Sequence, residues 1–152
     1  MSTCQLGVLA VLLAAFGMSC SRPSPAETEP KGVTAWKDMS KEERATFMKK
    51  TVLPKMKAEF VLVDAKEFGE MNCATCHGDG VKDKSFKMPN PKLPKLVATE
   101  EGFKKLSVDH PDMMKFMGQK VVPDMAALLG VAPYDPKTHQ GFGCFACHTM
   151  KE

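Results

Sequence analysis

Aromatic side chains are scarce in this chain of 152 residues: they make up 7% of it, with one Trp and one Tyr. A strong charge of either sign is also missing, because 21 Lys and Arg stand against 18 Asp and Glu, a formal net charge of +3. The basic residues are dispersed, without a basic run that aromatics interrupt, so nothing indicates binding to nucleic acid. The length predicts one domain, or two small units with a common core.

Long apolar runs are rare too, and the one clear case is LGVLAVLLAAF at residues 6–16. It is too short to span a bilayer and is typical of the core of a secretory signal peptide, although no Lys or Arg precedes it. We therefore expect residues 1–19 to be a signal peptide and the mature protein to be exported.

The apolar run ends in Gly17-Met18-Ser19-Cys20, which resembles the lipobox of bacterial lipoproteins, with Gly17 where an aliphatic residue is usual. The resemblance implies that Cys20 is lipidated and becomes the first residue of the mature chain. Pro, Ser and Glu then dominate, so residues 20–38 are predicted to form a lipid-anchored flexible tether. The expected location is the periplasmic side of a membrane. The alternative is an ordinary cleaved signal with Cys20 incidental.

The cysteine pattern carries the main chemical prediction. Of six cysteines, Cys4 lies in the signal peptide and Cys20 is the candidate anchor, and the other four form the motifs CATCH at residues 73–77 and CFACH at residues 144–148. CxxCH is the attachment signature of c-type haem, in which both Cys form thioethers and the His binds the iron. Two motifs predict two haem c groups, whose bulk would also offset the lack of aromatics. The predicted covalent and axial residues are Cys73, Cys76, His77, Cys144, Cys147 and His148.

Two other uses of the cysteines remain open. Two CxxC pairs form zinc sites in some proteins, but here the pairs are much farther apart than in zinc ribbons, and zinc would not require a His after each. A thioredoxin-like redox pair would need a βαβ pattern, which the sequence does not show. The spacing and the two histidines favour haem over both.

An internal repeat precedes the two motifs. FMKKTVLPKM at residues 47–56 matches FMGQKVVPDM at residues 116–125, 69 positions later, with V-x-P-x-M in both copies. This predicts duplicated haem-binding units at about residues 40–80 and 110–150, within a dihaem domain at residues 39–152. The fold class is predicted as all-α: two helix–loop–CxxCH units joined by a long Pro-rich loop, with little or no strand.

Helix signals support this organisation. Ser40 and Glu43 predict a capping box at the first helix. Asp64, with Glu67 three residues later, is expected to begin a short helix that carries the first motif and ends at Gly78 and Gly80. In the second unit Pro111 suits a first helical turn, and Asp135-Pro136 is expected to open a short helix before Cys144. Pro54 and Pro123, inside the long helices, predict kinks.

The second axial ligands must come from elsewhere in the chain. Little sequence follows His148, so its haem needs a ligand from upstream, and Met125 is the repeat-matched candidate, with Met56 in the first unit. Each lies on an apolar helix face, so core packing is the alternative role. Other candidate ligands left open are Met48, Met117, Met88 in the Pro-rich loop, His110 and His139.

A Met on a helix that precedes CxxCH resembles the haem units of the tetrahaem cytochrome subunit of photosynthetic reaction centres. The resemblance covers residues 40–80 and 110–150 and two units instead of four, and it implies a multihaem c-type cytochrome with His/Met-ligated iron. Six-coordinate haem exchanges electrons without rearranging its ligands. We therefore expect an electron carrier and no enzyme, with redox proteins as partners and a membrane reached through Cys20. The alternatives are a small peroxidase-like dihaem oxidoreductase and a haem-based ligand sensor, each with one open axial site.

Overall fold

A computed structural model describes residues 34–151. The predicted signal peptide, Cys20 and most of the predicted tether lie outside this range. The described residues form α-helices and short 3-10 turns without a β-strand, so the predicted all-α fold is confirmed. The α-helices are α1 (Lys41–Phe47), α2 (Leu53–Val63), α3 (Ala65–Phe68), α4 (Cys73–His77), α5 (Glu100–Asp109), α6 (Pro111–Phe116) and α7 (Val122–Leu129).

Several predicted helix ends are confirmed. Ser40 caps α1 with the expected capping box, in which its hydroxyl accepts from the Glu43 N–H and the Glu43 carboxylate accepts from the Ser40 N–H. Asp64 caps α3 by accepting from two backbone N–H groups, and α6 begins at Pro111. These short polar side chains satisfy N–H groups that a helix start leaves without partners.

The two long helices each contain a π-helical segment at matched positions. Met48–Val52 joins α1 to α2, and Met117–Val121 joins α6 to α7. Each segment closes with an N–H bond to a carbonyl five residues back, and a Pro lies in the next turn. A π turn accommodates one extra residue in an otherwise continuous helix. The irregularity that Pro54 and Pro123 predicted is therefore a π turn on the amino-terminal side of each Pro.

The first long helix (residues 41–63) and the second long helix (residues 111–129) pack antiparallel. Lys55 pairs with Asp124 at 3.0 Å, and Lys120 pairs with Glu59 at 3.3 Å, so positions rise on one helix as they fall on the other. Between them lies a core of the buried residues Val52, Met56, Phe60 and Met71, with Phe68, Cys76, Phe116, Met117, Val121, Met125 and Leu128 packed against it. Duplication of whole haem-binding units stays a prediction.

Two expectations about the motif helices are wrong. The first motif is not carried by the helix that Asp64 begins, because that helix ends at Phe68 and Asn72 caps a separate helix, α4. Asp135-Pro136 does not open a helix: residues 133–142 form a loop closed by isolated bridges, and the second motif has only a 3-10 turn at Cys144–Ala146. Asp135 uses its carboxylate to hold this loop turn.

The segment between the motifs contains a helix that the sequence reading missed. Thr99 caps α5 through its hydroxyl, which accepts from the Gly102 N–H at 3.1 Å, and Glu100 and Glu101 occupy the first turn. Acidic residues there interact favourably with the helix dipole. The Thr-Glu-Glu sequence was the available signal, and the neighbouring Pro and Lys residues obscured it.

The end of the predicted tether is structured. Trp36–Asp38 forms a 3-10 turn, and the Trp36 ring packs on Phe47 with a centroid distance of 6.1 Å. Arg44 donates to the Trp36 and Lys37 carbonyls. Among residues 34–151, no helix has both the length and the apolar character needed to cross a membrane.

Candidate functional site

The first CxxCH motif forms the short helix α4. Asn72 caps it by accepting from the Ala74 N–H at 2.9 Å, while the Asn72 N–H donates to the Thr75 hydroxyl at 3.1 Å. This places the half-buried free thiols of Cys73 and Cys76 one turn apart on the same helix. The helix ends at Gly78, whose positive φ of 55° turns the chain sharply away after the histidine, as predicted.

The His77 imidazole is oriented by the loop that follows it. Its Nδ1 lies 3.1 Å from the carbonyl oxygen of Phe86, and the Phe86 ring meets the imidazole edge-on at 5.5 Å. A carbonyl only accepts hydrogen bonds, so Nδ1 carries the proton and Nε2 keeps a free lone pair. Burial lowers the pKa of His77, and the bond to Phe86 opposes this. The lowered pKa and the proton held on Nδ1 both suit a neutral imidazole that binds a metal through Nε2.

The second motif reaches the same arrangement by a different route. His148 follows a 3-10 turn, and its N–H donates to the Cys144 carbonyl at 2.9 Å. Its Nδ1 lies 2.8 Å from the carbonyl oxygen of Pro94, a residue 54 positions earlier in the chain. Nδ1 is again the protonated nitrogen and Nε2 again has a free lone pair. Both CxxCH histidines are therefore prepared to bind a metal through Nε2.

Residues 87–96, here called the bridging segment, join the two motifs. The Asn90 side-chain amide donates to the Cys76 carbonyl, and the Asn90 backbone N–H donates to the Cys147 carbonyl, both at 2.9 Å. Leu96 then pairs with residues after the second motif, through its N–H to Thr149 and its carbonyl to Lys151. One extended segment thus holds two motifs that lie far apart in the sequence against each other.

The motif thiols lie in an apolar environment. Burial raises the pKa of Cys76 and of Cys144, and it raises the pKa of Cys147 to about 11, helped by the nearby Cys76 and Cys144. The effect of Cys76 on Cys147 reflects the proximity of the two motifs. The raised pKa values show that burial disfavours the thiolate form of Cys76, Cys144 and Cys147. Within residues 34–151, no three His, Cys, Asp or Glu side chains come together as a metal site, so the four-Cys zinc alternative has no matching cluster.

The structure brings the candidate axial methionines together. Met56 is 4% exposed in the core between the long helices, and Met125 packs against the same core. Cys76 also packs there, which places the first motif at the edge of the core that holds Met56. The alternatives Met48 and Met117 pack against this core as well, about two helical turns before Met56 and Met125 respectively.

The alternative histidines have other surroundings. His110 is exposed at the start of α6 and lines an open cavity with Glu67 and Phe68. His139, in the loop before the second motif, has φ of +56° and its Nδ1 lies 2.9 Å from the Tyr134 hydroxyl. Met88 is partly buried within the bridging segment.

Apolar side chains remain exposed around both motifs. Phe86 contacts His77, Phe145 lies inside the second motif, and Met150 follows it at 63% exposure. Tyr134, also exposed, packs against Gly143 immediately before Cys144. Other exposed apolar side chains, with Leu62 and Val108 the most exposed, lie away from the motifs, so apolar exposure is not confined to this site. The donor set of each motif, two thiols and one imidazole, is the set that a c-type haem would require.

Sequence reasoning found the cysteines and histidines but not the residues that position them. The positioning residues act through hydrogen bonds that no short motif encodes. Phe86 and Pro94 use their backbone carbonyls, and Asn72 and Asn90 use both side-chain and backbone groups. The one available signal was Asn90, an amide between two prolines in a segment otherwise rich in Lys and Leu.

No family model matches this chain, and no curated protein or solved structure matches it significantly. The likeness to reaction-centre cytochrome units therefore depends on the motifs alone.

Proposed function

We propose that this protein is a dihaem c-type cytochrome that relays electrons outside the cytoplasm. The observation that carries the proposal is shared by both motifs: the CxxCH histidine directs Nδ1 at a backbone carbonyl, Phe86 for His77 and Pro94 for His148. This bond fixes the tautomer, aims Nε2 and increases the basicity of a metal-binding imidazole. Two motifs with different backbone geometry reach the same orientation, which a structural role for the histidines would not require.

The cysteines suit covalent attachment. Cys73 and Cys76 lie on one helical turn, and Cys144 and Cys147 lie on one 3-10 turn, so each pair can be linked to one porphyrin. The four half-buried thiols form no disulfide with one another and are available to form thioethers. When bound, haem c supplies an iron that gains or loses one electron. The exposed apolar groups beside the motifs would then be covered.

The protein groups have separate roles. His77 and His148 hold one axial position each, and Met56 and Met125 are the proposed ligands for the opposite faces, where a thioether raises the reduction potential. The core between the long helices buries Met56, and Met125 is partly buried against it. The bridging segment keeps the two sites adjacent, which favours rapid transfer between them.

Redox proteins are the proposed partners, and a lipid on Cys20 is the proposed membrane attachment on the periplasmic side. An electron carrier needs no substrate pocket, and the proposal assigns no catalytic residue. The peroxidase-like and sensor alternatives both require an iron with an open axial position, so they differ from the carrier in an optical spectrum.

The test is to express the full chain with the c-haem maturation machinery and count covalent haem as the pyridine haemochrome. We expect two haems per chain, low-spin spectra and reversible one-electron reduction. Replacing Cys73 and Cys76 with Ser should leave one haem, and replacing Cys144 and Cys147 should also leave one. A high-spin component that binds carbon monoxide tightly would favour the sensor or the oxidoreductase. Absence of covalent haem from the unsubstituted chain would refute the proposal.

A further inference from the structure

Asn90 is the one polar residue of the described chain that is fully enclosed, with 3% of its surface exposed. All of its polar groups have partners. Its side-chain N–H donates to Cys76, its Oδ1 accepts from the Lys92 N–H, its backbone N–H donates to Cys147 and its carbonyl accepts from the Leu93 N–H. An enclosed amide with every group satisfied fixes its neighbours strongly, because losing any partner leaves a desolvated polar group.

The two long-range hydrogen bonds of Asn90 have equivalent acceptors in the two motifs, namely the carbonyl of the second Cys of each CxxCH. One acceptor is the carbonyl of Cys76, in the peptide unit before His77, and the other is the carbonyl of Cys147, in the peptide unit before His148. A single residue therefore connects the two peptide units that carry the CxxCH histidines. The bonds of Leu96 and Pro94 also hold the second motif, but among the hydrogen bonds of the bridging segment those of Asn90 are the ones that reach both motifs.

The glycine after the first motif leaves space for this amide. A Cβ on Gly78 would lie 2.7 Å from Asn90 Oδ1 and 2.9 Å from Nδ2, closer than real Cβ contacts. A glycine at position 78 is therefore needed for two reasons. It adopts the positive φ of the turn, and it leaves room for the hydrogen bond from Asn90 to Cys76, because a methyl group there would push Asn90 away. This offers a way to disturb the bond without changing Asn90 itself.

We propose that Asn90 is the positioning residue that sets the distance and orientation between the two haem sites, and through them the electronic interaction of the two haems. The proposal rests on the proposed function and goes beyond it, because two attached haems need not be held by a shared residue. Asn90 acts through the backbone of the motifs and not on the iron.

The experiment uses the full holoprotein and two readouts. Exciton coupling between two close, fixed haems gives a two-signed circular dichroism band in the Soret region, and a redox titration gives the separation of the two midpoint potentials. The variants are Asn90→Ala, which removes the bond to Cys76 and keeps the backbone bond to Cys147, and Gly78→Ala, which displaces the amide. Gly130→Ala is the control for a methyl group added at a positive φ, of 63°, where nothing lies within 4 Å of the Cβ. It does not reproduce the strain at Gly78, whose ψ of −132° lies outside the left-handed helical region.

We expect Asn90→Ala and Gly78→Ala to keep two haems and unchanged single-haem absorption, to lose most of the two-signed band and to change the separation of the potentials. Gly130→Ala should retain both signals. If Asn90→Ala yields no holoprotein, Asn90→Asp decides, because its carboxylate still accepts from the Lys92 N–H but cannot donate to the Cys76 carbonyl. Unchanged signals in the Asn90 and Gly78 variants would overturn the role of Asn90 while the cytochrome stands, whereas an unsubstituted chain without haem overturns the proposed function itself.

Discussion

Lys55 and Asp124 occupy equivalent positions in the two copies of the internal repeat, and their side chains pair with each other across the helix interface at 3.0 Å. Equivalent positions meet in this way when two elements are related by a two-fold axis. The π segments Met48–Val52 and Met117–Val121 also occupy equivalent positions. The long helices thus pack as two similar elements around a local axis that passes close to this ion pair.

The ion pair between Lys55 and Asp124 should contribute measurably to stability. The Lys side chain is 41% exposed and the Asp side chain 23%, so solvent screens the pair. A double-mutant cycle with Lys55→Met and Asp124→Asn should give a coupling energy on the order of 0.5 kcal/mol in urea unfolding. The pair Lys105–Asp109, within α5, is the control that does not cross the interface. A coupling indistinguishable from zero for Lys55 and Asp124 would mean that solvent screening cancels the contribution of this pair to stability.

The charged Lys120 side chain should stabilise the folded protein at neutral pH, and this contribution should be lost in strongly alkaline solution. Its hydrogen bond to Glu59, with help from Asp124, raises the pKa of Lys120 above its ordinary value of 10.5. A raised pKa means that the folded state holds the proton more tightly, so the contribution is complete below pH 10.5 and disappears as the pH rises through the raised value.

Lys120→Met should therefore be slightly less stable than the unsubstituted protein at neutral pH, and the difference should shrink in strongly alkaline solution. Urea unfolding at both pH values measures it. Lys115→Met is the control, because Lys115 forms no ion pair with residues 34–151. A difference that stays constant with pH would mean that packing of the Lys120 stem, and not its charge, is responsible.

Replacing the proposed axial methionines with leucine should remove ligands without unfolding the core. Leu conserves volume, so Met56→Leu and Met125→Leu should each cost less than about 1.5 kcal/mol. Each variant should lose part of the far-red thioether-to-iron band of the oxidised protein and have a lower midpoint potential at one haem. Met71→Leu, at a position buried in the same core, is the control. If the band survives in both variants, Met48 and Met117 become the candidates.

The histidine tautomers can be tested before any haem is attached. We expect nitrogen-15 NMR of the apoprotein to show that the Nδ1 atoms of His77 and His148 carry a proton, because carbonyl oxygens accept from that atom. His110, which is exposed, is the internal reference for an ordinary equilibrium of tautomers. Protonation on Nε2 in either motif would remove the observation on which the cytochrome proposal depends.

The sequence predicted the features that local chemistry determines. Ser40 with Glu43, Asp64 and Gly78 were identified as helix ends because each satisfies backbone groups within a few positions of itself. The all-α class followed from apolar periodicity. The haem-binding role of the CxxCH residues was predicted from their fixed spacing and stays a prediction.

The remaining features depend on contacts that no local pattern encodes. The acceptor for His148 is Pro94, 54 positions away, and Asn90 acts on two motifs at once, so both roles appear only after the chain is folded. The π segments were missed because proline predicts an irregularity but not its form. The helix expected at Asp135 failed because the Asp carboxylate stabilises a loop turn equally well.

The position of the histidine acceptors also has a consequence for the order in which the protein matures. His77 finds its acceptor nine residues later, at Phe86, whereas the acceptor for His148 precedes it in the chain. A nascent chain emerging from its amino terminus has therefore completed the first motif, with its acceptor, before the second motif exists. Under the proposed function, this chain order predicts that the first haem site can form without the second, whereas the second needs the bridging segment that precedes it.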